Sequence, residues 1–98
     1  MQPDDEHARL KEKERGHLAR QIFDNPLWGE AYVSLIDTSL ETMLARETTD
    51  DETLELKRRI LAMHDVKRRF ERVMQTGDLA NQQLEAARDG AERTRRAR

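Results

Sequence analysis

The side chains that could do chemistry are few, and their spacing does not suit it. His7, His17 and His64 have no second histidine three or four residues away, the separation that would turn two imidazoles toward one metal on a helical face. His64 and Asp65 are neighbours and leave a helix on different sides, so they are no ligand pair. Ser34 and Ser39 have no histidine close in sequence to act as a base. There is no cysteine, which excludes thiolate metal sites and disulfides. The four glycines are scattered and form no phosphate-binding loop. Lys67 is the one cation that falls within an apolar helical seam. A small helical enzyme would turn such a cation into its interior to hold a dianion. The alternative is a stem that covers apolar surface while the ammonium reaches water. These residues predict no catalytic site, no cofactor and no metal centre.

The basic residues carry a second possibility. From Asp37 to Glu55 there are seven acids and one base, giving −6; from Lys57 to Arg72 there are seven bases and two acids, giving +5. An acidic stretch followed by a basic one can pair within one chain or between chains. Arg58, Asp65, Arg69 and Arg72 lie close together on the outer face of one helix, where Asp65 partly cancels the patch. Arg93, Arg95, Arg96 and Arg98 end the chain with no acid among them. Arg69, Arg72 and these four are the candidate nucleic-acid contacts, through phosphate neutralisation. Against that, the whole chain has a net charge of −2, and no helix-turn-helix signal precedes a recognition helix.

The elements that would position these groups are all helical. Residues 1–16 are polar, with Leu10 the only large apolar residue after Met1, so a frayed or partner-dependent helix is expected there. Leu18, Ile22 and Phe23 dock its C-terminal end. The stretch "FDNPLWGEAY" gathers three of the four aromatic residues around Pro26. A residue before proline avoids the helical region, which makes Asn25 an N-cap and Pro26 the first residue of a second helix. That helix carries a broad apolar stripe from Leu27 to Leu44. Thr49 followed by Glu52 reads as a capping box that opens a third helix. Leu56, Ile60, Met63, Lys67, Phe70 and Met74 advance by alternating steps of four and three, as in a heptad. Gly77 is expected to end this helix in the left-handed conformation, with Asp78 capping a weaker fourth helix to about Asp89.

The expectation is an all-α chain centred on an antiparallel helical hairpin, Pro26–Gln75, with flanking N- and C-terminal helices. Its divisions are a polar helix over 1–16, a core over 17–80 and a C-terminal helix and basic tail over 81–98. Phe23, Pro26, Trp28, Tyr32, Ile60, Met63 and Phe70 are the expected structural and interface residues, with Trp28 and Phe70 buried. A chain of 98 residues with 39% charged and 36% hydrophobic composition has a marginal core, so self-association or docking on a partner is expected. No apolar run approaches membrane-spanning length, so no membrane partner is expected.

The segments Asp24–Trp28, Thr48–Glu52, Leu54–Met74 and Gly77–Ala80 together resemble small helical proteins of the head-assembly and DNA-packaging module of tailed bacteriophages. The shared features are an Asp-x-Pro-Leu/aromatic helix start, a Thr/Asp-rich loop, a second amphipathic helix and a Gly-x-Leu-Ala ending. The resemblance covers the middle two thirds of the chain. It implies a non-enzymatic assembly role in the host cytoplasm or the virion, similar to that of a ring-forming small terminase subunit, with itself and larger phage proteins as partners. Small terminase subunits carry an N-terminal DNA-binding helical domain, and the polar first sixteen residues here do not look like one. The alternatives are a nucleic-acid-associated packaging component and, more remotely, a small helical enzyme.

Overall fold

Asn25 and Pro26 make the first corner of the chain. Asn25 is extended (φ −71°, ψ 122°), and its side-chain oxygen accepts a hydrogen bond from the Leu27 N–H at 2.9 Å. Pro26 follows at the first helical position, where a missing N–H costs nothing. Helix α1 therefore spans Pro3–Asp24 and α2 spans Pro26–Leu44 in the computed structural model, which describes residues 1–97. The second corner is closed by threonines. The Thr48 hydroxyl donates to the Thr42 carbonyl, and the Thr49 hydroxyl accepts from the Glu52 N–H at 3.2 Å. Asp50, Asp51 and Glu52 then place negative charge in the first turn of α3, at the positive end of its dipole. The hydroxyl half of the expected capping box is formed; a return bond from the Glu52 carboxylate to Thr49 is absent among the described residues.

Helix α3 spans Asp50–Arg96, 47 residues without a break, and no strand occurs among the described residues. The chain is all-α, with three helices among the described residues where four were expected. Gly77 does not end α3, because it has no positive φ; it lies inside the helix and is buried. The segment after Asp78 is helical as expected, but as a continuation of α3.

Contacts divide the chain into two units, Met1–Arg20 with the segment from Phe70 onward, and Gln21–Arg69. These boundaries do not coincide with divisions at 16/17 and 80/81. In the first unit α1 and the second half of α3 cross at a pair of glycines. A Cβ built on Gly16 would lie 2.8 Å from the Gly77 Cα, and one on Gly77 would lie 3.0 Å from the Glu12 carbonyl oxygen. Only glycine lets two backbones come this close. Ala19 and Ala80, 4% and 0% exposed, continue the contact one turn on. The polar N-terminal helix is therefore pinned by small residues, which a search for large apolar side chains passes over. An ion pair between Arg20 and Asp78 at 3.0 Å brackets the crossing.

In the second unit α2 and the first half of α3 form the expected antiparallel hairpin. Trp28, Tyr32, Ile36, Ser39 and Met43 face Thr53, Leu56, Ile60, Met63 and Lys67, and all of these are half-buried or buried. The heptad on α3 does not stop at Met74. It continues through Gly77, Asn81 and Leu84, each at least half-buried.

Candidate interaction surface

The corner aromatics form a continuous row. The Phe23 and Trp28 rings are 5.6 Å apart and 22° from parallel, and Trp28 and Tyr32 are 6.2 Å apart. The Lys67 ammonium lies 5.3 Å from the centre of the Tyr32 ring. Lys67 thus fills its seam position by a cation–π contact, with its stem half-buried. Of the sequence-predicted residues, Phe23, Trp28, Tyr32, Ile60 and Met63 come together in this unit, with Pro26 exposed at the corner. Phe70 belongs to the other unit.

Trp28 and Phe70 are half-buried, not buried as expected. The reason is geometric. A pair of helices encloses only the seam between them, and each flank stays open. No large side chain among the described residues is fully buried.

What the flanks carry is the main feature of the second unit. Nine large apolar side chains there are exposed: Ile22, Leu27, Val33, Leu35, Leu40, Leu44, Leu54, Leu61 and Val66. Four others, Met1, Leu10, Leu18 and Leu79, are exposed in the first unit. At about 100° per residue, the hairpin's apolar residues separate into two flanks. On one flank Ala31, Leu35, Thr38 and Thr42 of α2 meet Leu56 and Arg59 of α3 around an open groove of about 500 Å³. On the opposite flank lie Val33, Leu40 and Leu44 of α2, with Leu54 and Leu61 of α3. These residues were legible as apolar, and Leu40 and Leu44 belong to the broad stripe of α2. Uncovered surface that meets another chain was expected, but not which of these residues would carry it. The available signal was the width of that stripe, which exceeds what one neighbouring helix covers.

The basic residues are dispersed. Arg58 and Arg59 pair with Glu55 on their own helix at 4.0 and 3.7 Å. Arg69 and Arg72 are exposed; Arg72 lines a small groove with Arg15 and Glu12. Arg93, Arg95 and Arg96 are exposed in the last turn of α3, where they complement its dipole, and Arg98 lies outside the described residues. The antiparallel packing of α1 on α3 brings Glu6 and Leu10 to the same groove as Leu84, Arg88 and Ala91. Asp4, Asp5 and Glu6, in the first turn of α1, therefore stand at the same end of this unit as the arginines and offset their field. Among the described residues no cluster of three or more potential metal ligands occurs, and no helix is long and apolar enough to cross a membrane. No protein-family model matches this chain, and no curated protein or solved structure is significantly similar to it.

Proposed function

We propose that this chain is a non-enzymatic assembly module of a tailed bacteriophage, acting as a homo-oligomer or docked on larger head or packaging proteins, in the host cytoplasm or the virion. The observation that carries the reading is the apolar surface left open on both flanks of the hairpin. A protein of 11.5 kDa that folds as a compact monomer exposes about 5,800 Å². This chain exposes 8140 Å². A surplus that includes leucines on regular helices supports a surface that meets another chain. The phage setting rests on the resemblance of residues 24–80 to small head-module proteins.

Two experiments test this. Light scattering should give the mass of two or more chains at tens of micromolar, or mass spectrometry of purified phage heads and packaging complexes should recover the chain in fixed ratio to a larger protein. A monomer that is absent from every assembly stage, and whose flank leucines can be replaced by serine without loss of phage yield, would overturn the reading.

A second reading, a packaging component that contacts nucleic acid, is supported by the exposed Arg69, Arg72, Arg93, Arg95 and Arg96. DNA titration at increasing salt tests it. Removal of Arg93–Arg98 should weaken binding and flatten its salt dependence. Binding that survives the deletion and ignores salt would exclude these arginines as the contact.

A further inference from the structure

Helix α3 carries a second heptad stripe besides the one that faces its neighbours within the chain. Asp50, Leu54, Lys57, Leu61, His64 and Arg68 advance by steps of four, three, four, three and four, and all six are exposed. Asp50 and Arg68 are eighteen residues apart, which is five whole turns, so they lie on the same line of the helix. The ends of the stripe are complementary to its own reverse. Turned end for end about a point level with residue 59, Asp50 meets Arg68, Leu54 meets His64, and Lys57 meets Leu61.

We infer that this stripe, flanked by Val33, Leu40 and Leu44 of α2, is one half of a two-fold interface with a second copy of this chain, the two α3 helices running antiparallel across the dyad. The inference rests on the assembly reading above and names the occupant of one flank. Three observations select a second copy in this direction. The first is charge. The loop end of the hairpin holds Glu47, Asp50, Asp51 and Glu52, while Arg68 and Arg69 lie at the far end. Antiparallel pairing sets each acidic end on the other copy's basic end, and parallel pairing would align like charges. The second is area. Taken over the whole chain, the exposed surface exceeds the compact-monomer value by about 2,300 Å², which leaves room for one side of a standard interface, about 800 Å². The third is composition. Leu40, Leu44, Leu54 and Leu61 are 44–84% exposed and make the face largely apolar around Lys57, with Asp50 and Arg68 at either end. The opposite flank is more polar at its centre, where Ser34, Thr38, Thr42 and Arg59 line the groove beside Ala31, Leu35 and Leu56.

The test is sedimentation equilibrium of the full chain and its variants, with circular dichroism to establish that each variant is helical. The wild type should form dimers at tens of micromolar. Leu61→Glu should raise the dissociation constant at least about a hundredfold, because a two-fold interface carries each substitution twice. Leu27→Glu, on the other flank, should leave it unchanged. Asp50→Lys and Arg68→Glu should each weaken the dimer about tenfold or more, and the double variant should recover most of the loss. A monomeric wild type overturns this interface, while partner docking is still decided by the particle composition. A dimer that Leu61→Glu leaves intact and Leu27→Glu dissociates overturns the face but upholds assembly. Single charge variants that weaken the dimer without rescue in the double variant overturn the antiparallel register.

Discussion

The glycine pair offers the sharpest test of the fold, because the chain's four glycines divide into two physical classes. A methyl group added at Gly16 meets the Gly77 Cα at 2.8 Å and the Val73 carbonyl oxygen at 3.1 Å; one added at Gly77 meets the Gly16 Cα at 2.8 Å. All of these are backbone atoms, which cannot swing aside. Ordinary carbon contacts need about 3.5–4.0 Å, so the helices must separate by roughly 1 Å at the crossing. Ala19 and Ala80 would lose their contacts together. Overpacking of this kind costs about 1–3 kcal/mol. It is opposed by the gain from replacing a helical glycine with alanine, about 1 kcal/mol. Gly16→Ala and Gly77→Ala should therefore be destabilising, by up to about 2 kcal/mol net. Gly29 and Gly90 have nothing within 4 Å of an added Cβ. Gly29→Ala and Gly90→Ala feel the propensity term alone and should stabilise by up to about 1 kcal/mol. Urea unfolding followed at the helical circular dichroism band measures all four. If Gly16→Ala and Gly77→Ala stabilise the protein as much as the other two, the close crossing is wrong.

Asn25→Ala should cost about 1 kcal/mol by removing the acceptor that caps α2, measured by the same unfolding experiment, and Asn25→Asp should restore most of it. Thr49→Ala should cost about 0.5–1 kcal/mol through loss of the hydroxyl that accepts from the Glu52 N–H, whereas Glu52→Gln should change stability little, because its carboxylate makes no return bond; the reverse order would disprove this account of the cap. A double-mutant cycle over Tyr32→Leu and Lys67→Met should give a coupling of about 0.5–1 kcal/mol for the cation–π contact, and additive losses would show that no such contact forms in solution. Arg20→Ala and Asp78→Ala should each cost less than about 1 kcal/mol and lose most of that effect in high salt, as an exposed ion pair does.

Local chemistry was legible from the residues alone. The Asn25–Pro26 corner, the Thr49 cap and the antiparallel hairpin follow from rules that act over a few residues: a proline restricts its predecessor, a hydroxyl accepts from an N–H three residues on, and a short loop returns the chain. The seam from Leu56 to Met74 was legible for the same reason, since a period of three and four repeats within one helix.

Gly77 shows where that reasoning ends. Beside Asp78 it has the local signature of a helix end, and only the tertiary structure makes it a crossing point, because the cause is Gly16, 61 positions earlier in the chain. The attachment of the polar first helix was missed on the same ground. It depends on how closely a backbone can approach, and side-chain hydrophobicity does not measure that. Which residues of the flanks stay open was also beyond sequence, although the marginal core already implied that part of the surface would meet another chain. An apolar stripe states that a residue would gain from burial; whether a neighbour arrives to bury it is decided by how many helices surround it. In this chain two helices meet at each seam, and that count leaves Leu40, Leu44, Leu54 and Leu61 facing outward.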